Sequence, residues 1–214
     1  MTAVQKPRIS AQVALSLLEA LQSIDRPGEV LDDEVLSRTM PRRLGLSTVI
    51  ERQVQLYREY TRQGQKLGTD ELGEFMRLVG KRPDSRKVFL VMGAHLAEAA
   101  GGVRGGFLPR RVRLALVRRS VTRGLARLFG RQVGGFLSGP FTLEVSASPL
   151  VQLDSSGDAC EVVTGFCQHH LQKALGEDAE VVKGSCETRG DRSCRWTLQS
   201  QRAVQPSPAA RGRR

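Results

Sequence analysis

Three of the four cysteines in this 214-residue chain fall at the joints of one stretch, Ser148–Leu198, and their spacing restricts what that stretch can become. Cys186 and Cys194 stand on either side of Glu187-Thr-Arg-Gly-Asp-Arg, whose Gly190-Asp191 favours a turn. The segments Glu180–Cys186 and Cys194–Leu198 are therefore predicted to pair as a hairpin, bringing the two sulfurs together. Cys160 opens a helix that Asp158 or Ser156 can cap, with Val162, Val163, Phe166, Leu171 and Leu175 on its buried face and Gly176 as its stop. Trp196 is expected to pack under the sheet.

A tetrahedral zinc site holds thiolate sulfurs about 2.3 Å from the metal, hence roughly 4 Å from one another. Cys167 fails this test beside Cys160, because two turns of one helix separate them by roughly 10 Å along the axis. The trio with the right spacing is Cys160, Cys186 and Cys194, and Cys167 is read as a small core residue. The residues leave three states open for the trio: zinc ligands, metal-free thiols in the core, or a disulfide or redox pair.

Upstream of this unit the pattern is helical. Residues 1–9 are expected to be a flexible lead, after which Ser10 caps a helix with Val13, Leu17, Leu18, Leu21 and Ile24 at helical spacing. A short helix is predicted from Asp32 to Pro41. Thr48 and Glu51 form a capping-box pattern opening a helix through Tyr60, with Val49, Ile50, Val54 and Tyr57 on its apolar face. Thr69-Asp70 opens the next, carrying Leu72, Phe75, Met76 and Val79. Asp84-Ser85 caps a further helix whose residues Val88–Leu96 are apolar almost all round, which predicts burial. Gly101–Gly106 lacks a preceding strand and a following Gly-Lys-Ser/Thr, so it reads as a helix connection and not a phosphate loop. Pro109 starts an amphipathic helix with Leu114, Val117, Val121, Leu125 and Leu128 on one stripe, running to Gly134-Gly135. Phe141–Ser146 alternates as a half-buried strand does. Residues 10–134 are thus mainly helical, 135–200 form a strand-helix-hairpin unit, the two belong to one domain, and 201–214 are a disordered basic tail.

The formal charge of +11 is concentrated. Nine arginines and no acid lie between Gly101 and Leu143, four more arginines lie in the tail, and the remainder is close to neutral. Arg113, Arg119, Arg123 and Arg127 fall largely off the apolar stripe of their helix, which reads as a solvated basic face or as one open to nucleic acid or an anionic membrane surface. No recognised helix-turn-helix spacing and no aromatic stacking platform accompanies them. No apolar run reaches 18 residues and no secretory signal is recognisable, so a cytoplasmic location is expected. The pair His169-His170 cannot grip one metal from adjacent helical positions and is expected at the surface or boundary; His95 is expected to be partly buried. No Ser-His-Asp order, paired carboxylates or His-Glu-x-x-His motif identifies a catalytic group.

Over residues 135–198, Ser148-Pro149-Leu150, Cys160, Thr164-Gly165-Phe166, Cys186 with Arg189-Gly190-Asp191, and Cys194-Arg-Trp resemble the 4-vinyl reductase domain family. That family is related to the ligand-sensing domains of phenol- and toluene-responsive activators. The resemblance implies an α+β fold of the NO-signalling/Golgi-transport ligand-binding type, with a helical layer on a small, mostly antiparallel sheet. It implies an apolar, aromatic or lipid-like ligand held by a non-catalytic sensory module, acting through a homodimer or protein partner. The family's name implies instead an accessory or reductase-like factor of tetrapyrrole metabolism, and its tethering relatives imply a scaffold subunit. By layout, the helix Val88–Leu96, the loop Gly105–Leu108 and the strand Phe141–Val145 would surround the ligand. In the aromatic-sensing relatives a structural zinc is held by three cysteines, matching Cys160, Cys186 and Cys194, and by a glutamate whose place here falls on Lys183. A lysine ammonium cannot ligate a metal, and water, Asp158 or Glu187 would have to complete the shell.

Overall fold

The computed structural model describes residues 8–25, 48–101, 108–130, 133–139, 141–153, 156–176 and 179–199. The expected helix 32–41, the connection 102–107 and the tail 201–214 lie outside them. In chain order the elements are β1 (Arg8–Ser10), α1 (Ala11–Ile24), α2 (Thr48–Arg62), β2 (Lys66–Gly68), α3 (Thr69–Gly80), α4 (Ser85–Ala100), α5 (Arg110–Phe129), β3 (Gly135–Phe136), β4 (Thr142–Val145), α6 (Pro149–Leu153), α7 (Glu161–Leu175), β5 (Glu180–Ser185) and β6 (Cys194–Gln199). Helices and small antiparallel sheets make this an α+β protein. None of the described helices is long and apolar enough to cross a membrane.

Helix α7 is the axis. Every residue from Glu161 to Cys167 is buried, because α4 and α5 cover it on two sides and β5 packs on a third. Helix α1 packs on α4 and α2 on α1, extending the helical layer outward. The approach of α4 to α7 depends on two glycines. A Cβ on Gly93 would land on the Val162 carbonyl oxygen, and one on Gly165 would land on the Leu90 carbonyl oxygen. Only residues without a side chain let the two backbones come this close.

The main sheet is fully antiparallel, in the order β3-β4-β6-β5. Leu143 on β4 stands opposite Trp196 on β6, and both side chains are buried on the helix-facing side. The alternation of β4 is as its sequence predicts, with Leu143 and Val145 buried and Thr142 and Glu144 half-exposed. Trp196 donates its indole N–H to Thr164 Oγ1 of α7 at 3.0 Å, which satisfies the one polar atom it takes into the core.

Several expectations need correction. Residues 8 and 9 are not a flexible lead: Arg8–Ser10 pairs antiparallel with β2, and Ile9 is buried in the core. Helix α5 ends at Phe129, not at Gly134-Gly135, because Gly130 turns left-handed (φ 69°). Asp84 does not cap α4 with its side chain; Arg82 takes both carboxylate oxygens, at 2.8 and 3.0 Å. Helix α4 is largely buried as its composition predicts, with Val88, Phe89, Met92 and Leu96 inside and Leu90 39% exposed. The Ser10 cap of α1 is as expected, with Ser10 Oγ accepting from Gln12 N. The capping-box contact of Thr48 and the placement of Val49 and Ile50 fall on side chains outside the described set.

The α4–α7 crossing makes a direct test. Gly165→Ala is expected to destabilise the protein by roughly 2–3 kcal/mol, because a backbone carbonyl cannot move aside as a side chain can. Gly184→Ala, where an added Cβ meets nothing within 4 Å, is expected to change stability by less than about 0.5 kcal/mol. Thermal or denaturant unfolding of the two variants would read the difference.

Candidate metal centre and an adjoining groove

Cys160 ends a single 3-10 turn, Asp158–Cys160, that feeds α7. That turn is entered through Gly157, whose φ of 83° suits glycine and whose missing side chain leaves room for Thr188 Oγ1. The loop carrying Cys160 therefore lies directly on the loop carrying Cys186. Cys186 follows β5 and precedes a second 3-10 turn, Glu187–Arg189, closed by Gly190 in the left-handed region. Asp191 Oδ2 accepts from Cys186 N at 2.8 Å, and Ser185 Oγ donates to Ser193 O at 2.8 Å, so the hairpin end is tied on both arms. Cys194 opens β6 opposite Val145.

The three sulfurs meet as the hairpin reading predicts. Cys186 Sγ is 3.7 Å from Cys160 Sγ and 3.8 Å from Cys194 Sγ, and all three lie within 4.8 Å of one another. All are free thiols and fully buried. These separations match the roughly 4 Å that thiolates around one tetrahedral ion require. Thiol hydrogen bonding from Cys160 holds Cys194 down to about 6, aided by the Glu187 N–H at 3.3 Å, while the same contact and burial push Cys160 up. Three sulfurs gathered this closely are a donor set suited to a thiophilic cation. Cys167 stays outside it, buried alone on α7 with its thiol pushed up by burial.

No carboxylate or histidine among the described residues joins the three sulfurs. The two acids considered for the fourth position are engaged elsewhere. Asp158 Oδ2 accepts from Ser85 Oγ at 2.6 Å, and Glu187 accepts from the backbone N–H groups of Ala147 and Ser148 at 2.6 and 3.0 Å. Lys183 is turned toward the start of α7. Its ammonium donates to the Gly157 carbonyl at 3.2 Å and pairs with Glu161 Oε1 at 2.9 Å, with side chains 8% and 9% exposed respectively. Burial works to raise the Glu161 carboxyl, but Lys183, Thr164 and Arg86 outweigh it and the net shift is downward. The ion pair between β5 and α7 is invisible to sequence reasoning, because Glu161 and Lys183 are 22 positions apart with no motif linking them.

The histidine expectation holds for one residue of the pair and fails for the other. His169 is half-buried, but His170 is fully buried, and neither of its ring nitrogens has a hydrogen-bond partner. It lies edge-on to Phe166 at 4.8 Å, and burial pushes its imidazole down to about 4. The missed signal was the four-residue step from Phe166, which puts residue 170 on the same inward stripe. His95 is half-buried as expected. Of the four arginines singled out, Arg113 is drawn inward and donates to the Ala174 carbonyl at 2.7 Å, while Arg119, Arg123 and Arg127 are exposed.

A groove of about 510 Å³ runs beside this centre between α4, α7 and β5. Leu90, Val91 and Ala94 form one wall, Gln168, His169 and Gln172 the other, and Glu161, Thr164 and Val181 lie within it. The helix expected around a ligand does line this groove. The strand expected there does not, because Phe141, Leu143 and Val145 are consumed by the core. Of the loop Gly105–Leu108, only Leu108 is described, and it is exposed.

Lys183→Met leaves Glu161 buried with only the well-exposed Arg86 beside it and is expected to cost roughly 3 kcal/mol, most of it recovered in Glu161→Gln/Lys183→Met, where neither charge remains. Because the folded-state Glu161 carboxyl titrates below its ordinary value of about 4.3, its contribution is complete above that pH and is lost as pH falls through the lower folded value. Glu161→Gln should therefore flatten the acid limb of the stability profile. Denaturant titrations across acid pH would measure both effects.

Comparison of the chain with protein-family models, with curated proteins and with solved structures finds no match in any of the three.

Proposed function

We propose that the chain is a non-catalytic small-molecule-binding module of the 4-vinyl reductase type, with the α4–α7–β5 groove as its ligand site and the three-thiol centre as a structural zinc site. The composition of the groove carries the reading. Leu90, Val91, Ala94 and Val181 offer an apolar surface, and Gln168, His169 and Gln172 on the facing wall offer polar groups beside it, with His169 Nε2 buried and without a partner. That combination takes an apolar or aromatic body with polar groups along one edge. The helical layer on a small antiparallel sheet, with thiols at a helix start and at a hairpin, supports assigning the NO-signalling/Golgi-transport ligand-binding type of fold.

Zinc fits three of its four positions here. Cys160, Cys186 and Cys194 would hold the ion as thiolates, and it would supply a bond network tying the start of α7 to the β5–β6 hairpin. Lys183 stands in for the missing glutamate by making the strand-to-helix tie through Glu161. A reducing, cytoplasmic setting keeps such thiols available, and a homodimer or protein partner would relay the ligand signal.

Two measurements test the reading separately. Elemental analysis of protein purified without a metal-affinity tag should find close to one zinc per chain, lowered by Cys194→Ser; a value near zero removes the metal. Native mass spectrometry should find a co-purifying small molecule or, failing that, binding of an added phenol. The single tryptophan reports on it, because Trp196 is bonded to Thr164 in the groove. Leu90→Glu, which places a charge on the apolar wall, should weaken binding at least about tenfold without unfolding the protein. Unchanged binding in that variant would place the ligand elsewhere.

A further inference from the structure

Helix α5 carries seven arginines and no acid over Arg110–Phe129, yet its outward side is not purely basic. Leu108, Val112 and Leu116 recur at four-residue intervals and are 40%, 43% and 36% exposed. Ala115, Arg119, Arg123 and Arg127 form the neighbouring row at the same interval, and all four are exposed. The inward side is fully occupied by Val117, Val121, Leu125 and Leu128 in the core, so the exposed aliphatics are not surplus from that stripe. Leu137 adds a further exposed side chain from the segment after β3, which Arg118 holds against α5 through the Gly139 carbonyl. The result is an exposed ridge with leucine and valine toward one end and arginine toward the other.

We propose that this ridge docks the protein on an anionic bilayer surface, with Arg119, Arg123 and Arg127 on lipid phosphate and carboxylate groups and Val112 and Leu116 entering the acyl boundary. The charge selects an anionic partner and opposes a second copy of the same face. The aliphatics select between anionic partners. Nucleic-acid phosphates would leave Val112 and Leu116 in water, and no aromatic ring for stacking is found among the described residues of this face, whereas a headgroup layer takes both kinds of side chain at once. A folded acidic protein would need a shaped counterpart, and the groove between α4, α7 and β5 is lined by no residue of this ridge. An exposed row of this kind suits a fluid surface better.

The full chain should co-sediment with phosphatidylcholine vesicles containing phosphatidylserine and not with phosphatidylcholine alone, and added salt should weaken the association. At roughly fivefold per arginine near an anionic surface, Arg119→Gln/Arg123→Gln/Arg127→Gln should lower partitioning on the order of 100-fold. Val112→Ser/Leu116→Ser, which leaves the charge unchanged, should lower it by at least about tenfold. Both sets of side chains are exposed, and unchanged thermal unfolding would confirm that the variants fold. Three results overturn the proposal: no sedimentation with the anionic vesicles at low salt, binding retained by the triple arginine variant, or the serine variant binding as the wild type does. Tight binding of duplex DNA that the serine substitutions leave untouched, with vesicles bound weakly, would overturn it in favour of a nucleic-acid face.

Discussion

The close approach of α4 and α7 at Gly93 and Gly165 is the constraint on which the remaining arrangement depends. With no side chain at either position, each backbone sits against a carbonyl of the other helix, Val162 in one direction and Leu90 in the other. That places the first two turns of α7 inside the protein, with only the edge at Glu161 and Thr164 reaching the groove. Helix α5 is drawn to the same axis by a third glycine, Gly124, where a Cβ would strike the Phe166 ring. The α4–α7 packing is therefore set by backbone proximity and the α5–α7 packing by the Phe166 ring seated on Gly124, and small volume changes at these glycines cannot be absorbed locally.

Burying the start of α7 has an electrostatic consequence. Glu161 opens the helix, where a negative charge is favoured by the unpaired N–H groups, but it does so in a nearly dry site. Lys183 resolves this from β5 and simultaneously bonds the carbonyl of Gly157, so one ammonium closes the helix start, the preceding turn and the strand together. One residue before Glu161, Cys160 faces the other way into the thiol cluster. The helix start is thus anchored twice to the same hairpin, once by charge and once through sulfur contacts, and the first anchor is complete without any ion.

What was legible in the sequence follows from locality. The hairpin, the cysteine trio and the stripe of α5 rest on periodicity and on turn residues within a few positions of each other, and those readings agree with the structure. The β1–β2 ladder was missed because each strand is three residues long and its partner is distant in sequence. Gly134-Gly135 is the louder signal because the glycine is doubled, but it is the left-handed Gly130 directly after the last turn that stops this helix. The partner of Lys183 is a tertiary fact, whereas the burial of His170 could be read from its four-residue step from Phe166. The resemblance that led to Lys183 identified an unusual position but not its use, since a ligand pattern says where a donor is absent and not which charge replaces it.

The same side chains that anchor the hairpin also border the groove. Glu161 and Thr164 line it, and they are the partners of Lys183 on β5 and of Trp196 on β6. Under the proposed function, a molecule resting against Thr164 and Glu161 contacts the hydrogen bonds that hold the thiol-bearing hairpin to α7. Any preference of that molecule for one geometry of these bonds is, by linkage, a preference of the hairpin for the bound or the free state, and an ion held by the three sulfurs must feel it to the same degree. Ligand and metal would then be coupled through two hydrogen-bonded contacts without any movement of the helices, which the glycine crossing holds in place.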